Sequence, residues 1–169
     1  PYIGWTHNPD IFSDAVECCG QNLKTNRFGL FDSGEGIYQR SPDRLLVGIC
    51  GGSVAWQMSC AAEETLKKTL REIPAYKHRE IVLVRLAQSG YKQPQALFAL
   101  NYYLLMGAEF DLLLNLDGFN ELALTVGENF LSHTALEYPQ GWNVRTRELV
   151  DPRDADVSLR LFEIRGLRQ

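Results

Sequence analysis

Three short stretches of this chain carry the residue types that acyl transfer requires: Gly51-Gly-Ser53, Ser89-Gly90 and Gly118-Phe-Asn120-Glu121. The Ser53 hydroxyl can attack a carbonyl carbon once a base takes its proton. The oxyanion formed in that attack needs donors, and the N–H groups of Ser53 and Gly90, with the Asn120 side-chain amide, are of the right kind. Glycine suits such positions because the substrate must come close to the backbone. Gly-Gly-Ser ahead of a helix is also the ordinary composition of a tight turn with a serine N-cap. The three stretches therefore gain meaning only if the fold brings them together.

Each stretch follows an apolar run. Leu45–Cys50 has the length and branching of a strand buried on both faces, and Ile81–Ala87 and Phe110–Leu116 read as two more strands. Helical patterns follow each run: Trp56 to Ile73 with Leu66, Leu70 and Ile73 on one stripe, Pro94 to Met106 closed by Gly107, and Leu122 to about Leu131. Strand–helix alternation three times over predicts an α/β fold with a parallel sheet and right-handed crossovers. In a parallel sheet all strand C-termini lie on one edge, so Ser53, Gly90 and Asn120 are expected to converge there. A helix beginning at Ser53 would aim its free N–H groups at the same place.

So arranged, the residues resemble the SGNH (GDSL-type) hydrolases over roughly Arg44 to Glu121. Gly51-Gly-Ser53 is similar to the first block of that family, Gly90 to the second-block glycine, and Gly118-Phe-Asn120-Glu121 to the third-block Gly-x-Asn-Asp, with Glu in the last place. The resemblance implies a three-layer α/β/α, flavodoxin-like fold and a serine esterase acting on an O-acyl ester. It makes Ser53 the nucleophile, Gly90 and Asn120 the oxyanion hole, and Gly52, Asp117, Gly118 and Glu121 supporting positions. The family's fourth block, Asp-x-x-His, is missing: His7, His78 and His133 are preceded three residues earlier by Gly4, Ala75 and Phe130. The catalytic pair and further strands are thus expected beyond Gln169, or the chain is a catalytically inactive relative used for ligand binding or assembly. His133 is the in-chain substitute for the base, and His7, Trp56 and Tyr91 are further candidates to line a cleft. A P-loop is excluded by the lack of Lys-Ser/Thr after the glycines, and the α/β-hydrolase elbow by a serine that follows the first strand of the sheet.

The rest of the chain bounds these readings. At 169 residues, 45% apolar and 22% charged, it is one ordinary globular domain. We divide it into an irregular arm, 1–43, lying across an α/β domain, 44–169. The net charge of −4 argues against nucleic acid or an anionic membrane as partner; the resemblance implies a small-molecule, carbohydrate or lipid ester instead. No apolar run reaches the roughly 18 residues of a membrane span. The opening at Pro1 leaves room for a removed upstream signal, and no compartment is assigned. Histidine is scarce and no cysteine pair has zinc-ligand spacing, so neither metal nor cofactor is expected. Cys18 and Cys19 are adjacent, and Cys50 and Cys60 read as buried free thiols. Glu63 and Lys67, like Glu64 and Lys68, are spaced as surface ion pairs. Residues 132–150 read as loop, and Asp151, Pro152, Val157, Leu161, Ile164 and Gly166 outline a final helix.

Overall fold

The sheet is built on β3 (Arg44–Gly51), in which Leu45, Leu46, Val47 and Ile49 are fully buried. A strand apolar on both faces can only be central, and β3 is: β4 (Glu80–Arg85) pairs with it on one side and β5 (Leu112–Leu116) on the other, both parallel. Leu46 is level with Val82, Val47 with Leu112, and Gly51 with Leu116. Between β3 and β4 run α1 (Ser53–Ala61) and α2 (Glu63–Arg71); between β4 and β5 runs α3 (Gln95–Leu105). Leu45, Val47 and Ile49 pack with Ala55, Trp56, Leu66 and Leu70 of the first crossover. Cys50, Val84 and Leu86 pack with Ala99 and Tyr103 of the second. The two crossovers cover opposite faces, giving an α/β/α arrangement with a three-stranded parallel sheet.

This computed structural model describes residues 25–31 and 37–142, the backbone of β1 (Phe12–Cys18) and β2 (Gln21–Lys24), and two isolated residues, Thr6 and Arg160. His7 and all of the expected final helix except Arg160, which is helical, lie outside the described residues. β1 and β2 form an antiparallel hairpin. The arm also reaches the core. Asn26 Oδ1 accepts the N–H groups of Phe28 and Leu30 at 3.0 and 3.2 Å, and its amide donates to the Tyr103 hydroxyl at 3.0 Å. That turn delivers Phe28 and Leu30 under α3.

Several boundaries differ from expectation. The helix after β3 starts at Ser53 and breaks at Ala62, whose φ of −106° and ψ of 11° leave the helical region. Arg85, 1% exposed at the end of β4, lies across the break: its Nε reaches Ser59 Oγ at 3.1 Å and its Nη2 reaches Glu63 Oε2 at 2.5 Å. Glu63 is accordingly half-buried, and it also holds Lys67 at 2.5 Å. β5 starts at Leu112, and Asp111 just before it brackets Leu46, its N–H donating to the Leu46 carbonyl at 2.9 Å and its Oδ2 accepting the Leu46 N–H at 2.9 Å. The third helix begins early as α4 (Phe119–Leu124) and widens into a π-helical segment, Thr125–Phe130. Its outer face leaves Phe119, Leu122, Val126 and Phe130 exposed.

Cysteine usage also differs. Cys60 is disulfide-bonded, not free; α1, which carries it, packs against β1 as well as against the sheet. Cys50 is a free, buried thiol. No helix of the described residues is long and apolar enough to cross a membrane.

Candidate active site

Ser53 is the first residue of α1, directly past the C-terminal end of β3. The turn that puts it there needs both preceding glycines. Gly51 has φ +132°, where a side chain is strained, and a Cβ would strike the Leu116 carbonyl oxygen of β5. Gly52 has ordinary angles, but a Cβ there would collide with the Asn120 amide and crowd the Tyr91 carbonyl oxygen at 2.9 Å. Ser53 Oγ has no hydrogen-bond partner among the described residues. The helix places no acidic residue in its first turn, so its N-terminal dipole is uncompensated there.

Across from Ser53 stands the turn between β5 and α4. Asn120 Nδ2 donates to the Tyr91 carbonyl at 2.6 Å, which sets the plane of its amide and leaves a second N–H to point elsewhere. Glu121 accepts the Gly118 N–H at 2.7 Å and the Gln93 N–H at 2.8 Å, clamping its own helix start to the chain leaving β4. Asp117 Oδ2 accepts from Gln93 Nε2 at 2.5 Å and Asn115 Nδ2 at 2.6 Å. Both carboxylates are thus occupied in fixing the wall. Ser53 and Asn120 open on one cleft of about 80 Å³, which Gly52, Asp117, Gly118 and Glu121 also line and Val54, Leu116 and Phe119 make apolar.

The structure therefore gathers Ser53, Asn120 and all four supporting positions. It does not open Gly90 to that cleft: Gly90 is buried, and the Gln140 side chain lies against it. Tyr91 is fully buried under α3 and serves through its carbonyl, while Trp56 packs on Phe31, ring centroids 6.0 Å apart, instead of lining the cleft. His133 is exposed after the π segment with φ +52°, His78 is exposed, and neither hydrogen-bonds Ser53 or lines the cleft. His133 as an in-chain base is not what the structure shows. Gln140 and Lys92 were missed: nothing local in the sequence marks a residue whose partners lie decades of residues away.

Among the described residues, no group of His, Cys, Asp and Glu could hold a metal ion. Burial, with the Asp117 carboxylate adding to it, pushes the Cys50 thiol up to about 11. Its thiolate is therefore scarce at mildly alkaline pH. Iodoacetamide is expected to leave Cys50 unmodified in the folded protein and to alkylate it in urea, read by peptide mass; native-state alkylation would contradict the burial described. No protein family, no curated protein and no solved structure matches this chain.

Proposed function

We propose that this chain carries the nucleophile and the oxyanion-binding wall of a serine ester hydrolase or acyl-transfer site of the SGNH kind. The observation that carries the reading is the pairing of an unpartnered Ser53 Oγ at a helix start with a fixed Asn120 amide across one small cleft. Ser53 Oγ would bond to the ester carbonyl carbon as its proton passes to a base. The carbonyl oxygen, now negative, would take hydrogen bonds from the Ser53 N–H and the second Asn120 N–H. Collapse expels the alcohol, which recovers the proton, and water repeats the cycle on the acyl-serine. The size of the cleft favours a short acyl group, and its apolar rim an uncharged one.

No described histidine reaches Ser53, and a serine without a base is a weak nucleophile. That observation favours a second reading, a non-catalytic module that keeps the cleft for binding or assembly. The Cys60 disulfide supports an oxidising compartment for either.

Intact-mass labelling with an ethyl fluorophosphonate, with and without imidazole as external base, separates the two. The hydrolase reading expects a single adduct that Ser53→Ala abolishes and that Asn120→Ala slows by about 10²–10³-fold. Absence of any adduct, on this chain and on any longer native form, would leave the binding module.

A further inference from the structure

The turn after the π segment has no strand of its own, yet buried polar groups hold it firmly. Lys92, 1% exposed, donates to the Leu136 carbonyl, to Asn129 Oδ1 at 3.1 Å and to Thr125 Oγ1 at 3.5 Å. Asn129, 2% exposed, donates in turn to the carbonyls of Ala135 at 2.9 Å and Tyr138 at 3.0 Å. Glu128 Oε1 accepts the Gly141 N–H at 2.5 Å. Tyr138 and Trp142 pack against each other at a tilt of 58°, centroids 5.4 Å apart. A buried ammonium is costly unless it keeps its acceptors, so the Lys92 contacts tie the turn to the chain leaving β4. What that turn delivers is Gln140, whose amide oxygen occupies the space a Cβ of Gly90 would take. The Gly90 N–H itself has no hydrogen-bond partner among the described residues.

We propose that Gln140 is a specificity-determining residue of the Ser53 site: it closes the Gly90 side of the oxyanion region and limits the acyl groups that fit there. The inference rests on the hydrolase reading. An uncharged amide is tolerable beside a developing oxyanion, and it restricts space without repelling charge. Shortening it admits larger acyl groups, and converting it to a carboxylate opposes the negative charge that the attack creates.

The test uses the whole protein, Gln140→Ala, the less disruptive Gln140→Asn, and the isosteric Gln140→Glu. Amide hydrogen exchange at Gly90, followed by NMR, is expected to accelerate about tenfold or more in the alanine variant as the cover is lost. The ratio of Ser53 labelling rates for hexyl over methyl fluorophosphonate is expected to rise about tenfold in the alanine variant and less in the asparagine one. Gln140→Glu should slow labelling by both reagents by about tenfold or more, since a like charge now faces the oxyanion. Labelling with an unchanged chain-length ratio overturns the proposal and leaves the hydrolase reading intact, as does unchanged Gly90 exchange. No labelling of Ser53 in any variant or in the parent overturns both.

Discussion

Replacing Gly51 by alanine is expected to cost about 2–5 kcal/mol of stability and to eliminate whatever reactivity Ser53 has. Two independent penalties meet at this residue. Its φ of +132° lies where a side chain is strained, and the new Cβ would run into a carbonyl oxygen of β5 while standing 2.8 Å from the Ala55 Cβ. Leu116, the owner of that oxygen, is level with Gly51 in the β3–β5 ladder, so it cannot retreat without parting the strands. Gly52→Ala makes the informative contrast. Its backbone, φ −90° and ψ −155°, suits any residue, and the nearest group in the way is the end of the Asn120 side chain, with the Tyr91 carbonyl oxygen a lesser obstacle at 2.9 Å from the added Cβ. Asn120 can swing aside, at the loss of its bond to Tyr91. Urea midpoints should therefore drop far more for Gly51→Ala than for Gly52→Ala, while both lose labelling. A Gly51→Ala protein with the parent's midpoint would refute the account of this turn.

Second, Glu63→Leu is expected to destabilise by about 3–5 kcal/mol, and Glu63→Leu with Arg85→Met by less. A guanidinium 1% exposed is left short of its counter-charge in the single variant, and adding Arg85→Met removes the charge that needed it. Arg85→Met alone is milder, because Glu63 retains Lys67 at 2.5 Å. Urea titration of the four proteins gives the coupling directly; additivity would show that the pair does not act as one. The same cluster sets an acid limit. Burial works against the Glu63 carboxylate, but the Lys67 hydrogen bond and the Arg85 and Lys67 charges outweigh it and hold its pKa below the ordinary 4.5. A depressed acid stabilises the fold fully above its unfolded value, so this contribution is lost as pH falls below 4.5 through the folded value. The parent's midpoint should decline over that range, and that of the double variant should decline less.

How much of this was legible before the fold was known follows from the range of the interactions. β3 announces itself because six successive residues, Leu45 to Cys50, all end in the interior, and no local alternative accounts for such a run. The gathering of Ser53 and Asn120 follows from parallel topology alone, since both sit just past a strand end. The break at Ala62 was invisible: the residues on either side are good helix formers, and it is Arg85, from another strand, that engages both halves. The Cys60 pairing was hidden for a related reason, because a bond between cysteines depends on how the fold brings them together, which no spacing encodes. The sequence around Gly90 shows only its own neighbours; the side chain that lies against it, Gln140, arrives from a turn held by Lys92.

The position of β5 has a bearing on when this protein becomes competent. β3 and β4 can pair around the first crossover, but β5 must cross back over β3 to pair on its far side, and the placing of Asn120 opposite Ser53 waits on that long loop closure. Long-range parallel pairing is slow to form. β5 is also the least covered strand of the parallel sheet, with Leu113, Leu114 and Leu116 between 36% and 47% exposed, whereas β3 is buried from Leu45 to Gly51. Ser53 thus follows the most buried strand of the sheet, and Asn120 across the cleft follows the most exposed one. A chain that has lost β5 would keep most of its core and circular dichroism, yet present a solitary hydroxyl with nothing opposite it.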